Sequence, residues 1–155
     1  LLSPFALVPE IRSFFGGTIV LAGAISTGAQ IAAARLIGAD LAYMGTRFIA
    51  TTESMAKDTF KEMIVASSAS DILYTSAISG VNANFLAPSI IAAGLDPKNL
   101  PAHTKLDMDG EAKVWKDIWS AGQGVGSIAD VPSAGELCAR LGEEFAAAKA
   151  AVAAF

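Results

Sequence analysis

Two kinds of hydrophobic pattern divide the chain. The first is a short run of β-forming residues without polar alternation, seen at Thr18-Ile-Val-Leu-Ala22 and Leu41-Ala-Tyr-Met44. Such runs predict strands buried on both faces. Each is closed by a glycine, Gly23 and Gly45. The second kind is helical. Between the two runs, Gly28 to Ile37 is alanine-rich, with Ser26 or Thr27 available as an N-cap and Gly38 as the C-terminal stop. Strand, loop, helix, loop and strand make a βαβ unit with parallel strands.

The flanking elements follow from the same patterns. Pro4 to Phe15 reads as a helix with Pro9 in its first turn and Phe5, Leu7, Val8, Ile11, Phe14 and Phe15 on its apolar face. Thr46 to Ala50 suits one helical turn. Ser54 is placed to cap a helix from Met55 to Ser67, with Phe60, Met63 and Ile64 inward and Lys57, Asp58, Lys61 and Glu62 outward. Asp71 to Ser76 is a third strand, turned at Ser79-Gly80, and Asn84 to Gly94 is helical after Pro88. Asp96 to Gly110 reads as a long loop. Glu111 to Ser120 is a short helix with Val114, Trp115, Ile118 and Trp119 as its stripe. A glycine-rich loop, Gly122 to Gly126, precedes a last helix from Ser133 to about Ala153. The chain thus falls into stretches 1–70, 71–130 and 131–155, the middle one an added strand, loop and helix segment.

Length and composition narrow the class. The 155 residues fit one domain but not a complete (β/α)₈ barrel, which takes about 250. Hydrophobic residues make up 53% and charged residues 17%, which excludes a disordered chain. The net charge is −4 and no Lys/Arg cluster exists, so nucleic acid is not an expected partner. Mean hydropathy is high at +0.49, yet the longest apolar stretch, Thr18 to Ala24, is far short of the roughly 20 residues a membrane span needs. The start, Leu1-Leu2-Ser3-Pro4, has neither an initiator Met nor a basic region. It is read as the middle of a longer chain or a processed end, not a signal peptide. The single cysteine, Cys138, favours a reducing, cytoplasmic compartment.

The strongest chemical feature is the pair of turns Ala22-Gly23-Ala24-Ile25-Ser26-Thr27-Gly28 and Met44-Gly45-Thr46. Both lie at the C-terminal ends of neighbouring parallel strands, the edge where α/β proteins place ligands. Small residues let backbone N–H groups approach a phosphate, and the Thr46 hydroxyl adds a donor. The same glycines also suit tight strand ends with no ligand. Gly122 to Gly126 lacks the Lys-Ser/Thr of a P-loop and is either a plain turn or the lining of a cavity. His103 has no second ligand at metal spacing, and Asp107 and Asp109 read as solvated loop acids. Cys138 reads as a buried thiol beside Leu137 and Leu141, and Trp115 with Trp119 as a packing face.

The run AGAISTGAQIAAARLIGADLAYMGTRF, Ala22 to Phe48, resembles the flavin-binding stretch of nitronate monooxygenases, formerly 2-nitropropane dioxygenases. It keeps Gly23, Ile25, Gly28, Gly38-Ala39-Asp40 and Met44-Gly45-Thr46-Arg47-Phe48. Ala50, Thr51, Glu53, Ser54, Phe60-Lys61 and the region Trp119-Ser120-Ala121-Gly122-Gln123-Gly124 are also similar. The resemblance covers essentially the whole chain and is to the C-terminal half of such a protein.

The resemblance implies an α/β fold that is the C-terminal part of a TIM barrel binding FMN. Its phosphate contacts carry over as Gly23, Ala24, Gly45 and Thr46, with Gln123 near the flavin ring. Ala24 replaces the family's usual second glycine, which is tolerable if its φ is negative. The implied reaction is oxidation of alkyl nitronates or nitroalkanes by oxygen to a carbonyl compound and nitrite. The family's proton-abstracting histidine lies before this chain begins, and His103 matches no such motif. Asn82-Ala83-Asn84 stands where the family often has an Arg. An N-terminal half-barrel polypeptide is then the expected partner. The alternatives are an FMN-dependent enoyl-acyl carrier protein reductase, which shares the Gly-Ala-Asp and Met-Gly-Thr-Arg-Phe pattern, and a non-catalytic half-barrel fragment.

Overall fold

The computed structural model describes residues 2–100 and 117–154. Helix α1, Pro4–Phe14, opens with the Ser3 hydroxyl accepting the Phe5 N–H, and Pro4 takes the first helical position. Pro9 therefore lies inside the helix rather than in its first turn, and the carbonyl of Phe5 loses its intrahelical donor. Strand β1, Val20–Ala22, helix α2, Gly28–Leu36, and strand β2, Leu41–Tyr43, form the βαβ unit. The strands are parallel, with Val20 opposite Leu41 and Ala22 opposite Tyr43. At the start of α2, Thr27 accepts from Gln30 N–H while the Gln30 side chain accepts from Thr27 N–H.

The unit is pinned at its base by Asp40. Its carboxylate accepts from the Ile19 N–H at 2.8 Å and pairs with Arg12 of α1. One face of the sheet packs on α1 and α2 through Val8, Ile19, Ile25, Ala34 and Ala39. The other face is open. Val20, Leu41 and Tyr43 are 52%, 57% and 65% exposed, so the strands are not buried on both faces as expected. Only one face has helices against it within the described residues.

Past the single-turn helix α3, Thr46–Ile49, helix α4 runs Asp58–Ala66. Its N-cap is Lys57, without a side-chain cap; Ser54 accepts the Ala56 N–H instead. Lys61 is buried, not outward, its ammonium reaching the Thr52 carbonyl. Strand β3, Ile72–Thr75, pairs antiparallel with β4, Ala83–Leu86, and α5, Ala87–Ala92, follows with Pro88 in its first turn. The sequence pattern predicts no strand here, Asn84 to Gly94 being read as helical after Pro88. Ser120, expected to be helical, bridges to Phe85 as a strand residue. The remainder of the expected Glu111–Ser120 helix, with Trp115, lies largely outside the described residues.

The last helix, α6, Ala134–Ala153, carries a complete capping box at Ser133 and Glu136. It lies against α2 at Gly28, where a Cβ would stand 2.2 Å from the Leu141 carbonyl oxygen. Leu137 and Leu141 are buried, but Cys138 is exposed. At about 100° per residue it falls outside the stripe those leucines make. No helix among the described residues is long and apolar enough to cross a membrane.

Candidate functional site

Both turns of the βαβ unit converge on one small cavity of about 30 Å³. The first turn supplies Gly23, Ala24, Ile25 and Ser26; the second supplies Gly45 and Thr46, with Tyr43 beside them. A third wall comes from Gly122 and Gly124. That wall is tied down twice. The Gly122 N–H donates to the Thr46 hydroxyl at 2.8 Å, and the Ser26 hydroxyl donates to the Gly124 carbonyl at 2.9 Å.

Two left-handed residues shape the first turn. Gly23 has φ +94° and Ala24 has φ +57°. Ala24 thus lacks the negative φ expected of it and carries the strain of an L-residue in the left-handed region, about 1–2 kcal/mol. Several N–H groups leading into and opening α2 are already taken. Ser26 and Thr27 donate to Gln30 Oε1, and Gly28 donates to Glu144 Oε2 at 2.6 Å. By contrast, within the described residues no hydrogen bond takes the N–H of Ala24, Gly45 or Thr46. The Thr46 hydroxyl accepts from Gly122 and keeps its own proton to donate. The cavity is thus lined by three residues whose N–H groups have no acceptor among the described residues, a composition suited to an anion.

Gly45 tests whether a phosphate-bearing group fits. Its φ of −103° is open to any residue. A Cβ built there meets no atom within 4 Å. Among the described residues, neither backbone conformation nor packing requires glycine at this position.

Behind the second turn lies Arg47, 2% exposed. It donates to the Asp130 carbonyl at 3.0 Å and to Asp130 Oδ1 at 2.8 Å. Asp130 Oδ2 pairs with Arg140 of α6 at 2.7 Å. Burial lowers the Arg47 pKa from its ordinary value, with Asp130 opposing that. The hydrogen bond from Arg140 holds the Asp130 carboxyl below the usual carboxylate range.

Residues 2–144 match the family model for nitronate monooxygenase. The chain belongs to the nitronate monooxygenase family. A nitronate monooxygenase of Paraburkholderia phytofirmans is 36% identical over 98 residues, 63% of this chain and 27% of that protein. A protein of Mycobacterium tuberculosis named as a monooxygenase is 28% identical, over 90% of this chain and 42% of its own length. Among solved structures, nitroalkane oxidase from Streptomyces ansochromogenes superposes with a TM-score of 0.76 at 27% identity, covering 97% of this chain and 46% of that one. FabK from Thermotoga maritima superposes with a TM-score of 0.75 at 22% identity, a likeness of fold. The chain spans less than half the length of the curated relatives it matches.

Of the residues singled out in this nitronate monooxygenase family member's sequence, Gly23, Ala24, Gly45 and Thr46 line one cavity; Gln123 is exposed in the 3₁₀ turn Gln123–Ser127 and does not line it. The glycine-rich segment, which the sequence leaves open as a plain turn or a cavity lining, supplies the third wall through Gly122 and Gly124, whereas Tyr43 and Arg47 carry no site role in the sequence. The spacing of the glycine-rich segment was the available signal. His103, Asp107, Asp109 and Trp115 lie outside the described residues. Trp119 stacks on Phe60 with ring centroids 4.8 Å apart. Among the described residues no group of three or more His, Cys, Asp or Glu could hold a metal.

Proposed function

We propose that this chain holds the phosphate of FMN in the cavity between its two turns and is the C-terminal part of a (β/α)₈ barrel that oxidises alkyl nitronates. Gly45 carries the reading: nothing among the described residues explains a glycine there, and it lines the small cavity together with Ala24 and Thr46, whose N–H groups, like its own, have no acceptor among the described residues. Ala24, Gly45 and Thr46 would donate backbone N–H groups to the phosphate, and the Thr46 hydroxyl would add a further donor held in place by the Gly122 N–H. Each such bond to a charged oxygen contributes about 1.5–3 kcal/mol. Gly23 lets the chain reverse at φ +94° so that the Ala24 N–H can face the anion. Gln123, at the rim, is assigned to the flavin-ring side.

FMN, when bound, supplies the redox chemistry by which an alkyl nitronate and oxygen give a carbonyl compound and nitrite. The base that takes the proton from a nitroalkane carbon is assigned to residues outside this chain. So are the strands that would cover Val20, Leu41 and Tyr43, whose apolar face is open here. The names of the relatives support this activity, and the nitroalkane oxidase likeness over 97% of the chain supports the fold.

The test is an FMN titration of wild type and Gly45→Val, followed by flavin absorbance and by far-ultraviolet circular dichroism. The expected result is saturable binding by wild type and none by a Gly45→Val variant that keeps the wild-type circular dichroism. Equal binding by both overturns the phosphate assignment. Turnover of an enoyl thioester with a reduced nicotinamide donor, and none with a nitronate, would replace the reaction.

A further inference from the structure

We infer that α6 is a positioning element for the phosphate cavity, acting through the relay Arg140–Asp130–Arg47 on one turn and through Glu144 on the other. This rests on the FMN reading above. Arg47 directly follows Thr46, and its guanidinium is held by both the carbonyl and the carboxylate of Asp130. A two-point grip of this kind fixes orientation as well as distance. The second oxygen of the same carboxylate is held by Arg140. Four residues further along α6, Glu144 accepts the Gly28 N–H at 2.6 Å. Residues four apart share a helix face, so one face of α6 grips both segments that follow the cavity's turns.

The cavity behind the turns, about 300 Å³ and lined by Arg47, Asp130, Arg140 and Glu144, is no second anion site. Its two arginines are balanced by two carboxylates: Asp130 holds both guanidiniums, and Glu144 accepts the Gly28 N–H. Ala24, Gly45 and Thr46, whose N–H groups have no acceptor among the described residues, line the small cavity instead. The back of the site is therefore a brace, and the front is where a ligand is held. A brace that touches only the protein should tune the phosphate grip without contacting the phosphate.

The experiment uses Arg140→Gln, because Arg140 is 43% exposed and its loss leaves the core intact. Dissociation constants for FMN and for riboflavin, which lacks the phosphate, are measured on the full chain by flavin fluorescence. Hydrogen exchange of the segment 45–48 is followed without any flavin. The FMN constant is expected to rise about tenfold, the size of one misaligned charge-assisted bond. The riboflavin constant stays unchanged, exchange at 45–48 quickens, and Arg140→Lys restores all of these. An equal change for FMN and riboflavin overturns the inference, as does unchanged exchange at 45–48. A wild-type chain that binds no FMN defeats the proposed function instead, and the exchange measurement still decides whether α6 braces the turn.

Discussion

Glu144 Oε2 accepts the N–H of Gly28 at 2.6 Å, so the N-terminus of α2 already holds a carboxylate. In many α/β sites that position receives the ligand's phosphate. Here a side chain from α6 takes it, and the open donors lie one turn earlier, around Ala24, and across the sheet at Gly45 and Thr46. Glu144→Ala should cost about 1 kcal/mol, as the loss of a helix cap does. Gly28→Ala should cost more, about 3 kcal/mol, because its Cβ would overlap the Leu141 carbonyl oxygen. Thermal unfolding of the two variants checks both the order and the size.

Ala24 stores strain that can be released. Glycine at a φ of +57° relieves about 1–2 kcal/mol and returns roughly half of that through a more flexible unfolded chain. Ala24→Gly should therefore raise stability by about 0.5–1 kcal/mol. A urea midpoint lower than that of wild type would contradict the left-handed assignment.

Gly124 sets the depth of the cavity. A Cβ there would lie 2.8 Å from the Ala24 carbonyl carbon and 2.9 Å from the Ser26 hydroxyl oxygen. Gly124→Ala must push the first turn away from the third wall, at about 1–3 kcal/mol, and FMN affinity should fall with it. This contrasts with Gly45, where added atoms enter open space and stability should hold while binding is lost. Melting temperature and FMN titration, run together, separate the two behaviours.

Asp40 makes the fold sensitive to acid. The Ile19 N–H and the Arg12 guanidinium hold its carboxyl below the ordinary range, with Arg35 adding a weaker pull. A depressed carboxylate contributes stability that is fully present above its unfolded pKa of about 3.9 and lost as pH falls through the folded value. Wild type should lose stability below about pH 4. Asp40→Asn should lose less on acidification, having less to lose, while being weaker at neutral pH. Denaturant unfolding at neutral pH and at about pH 3 measures the difference.

The βαβ unit was legible because glycines end its apolar runs and Thr27 and Gly38 punctuate its helix. Those are local signals, and the structure keeps them to within a residue or two. Strand β4 was not, because four residues ahead of Pro88 carry little pattern of their own; pairing with β3 makes Ala83–Leu86 a strand. Lys61 looked outward by type, yet its stem is buried and only its ammonium finds a carbonyl. The open face of β1 and β2 is not legible in the sequence, because an unbroken apolar run says that a strand should be covered, not that the cover is at hand. The Arg47–Asp130 pair joins residues 83 apart, and no local pattern announces such a contact.

The cavity is assembled from near and far. Its floor, the two turns, belongs to one compact βαβ unit whose strands close over a single short helix. Its third wall arrives across separations of 76 residues, at Gly122 to Thr46, and 98 residues, at Ser26 to Gly124. Contacts that close long loops form late when a chain folds, since the entropy of bringing their ends together must be met first. An anion that touches both floor and wall would bind only when the two are together, and so would stabilise that closed arrangement over any in which the wall has come away.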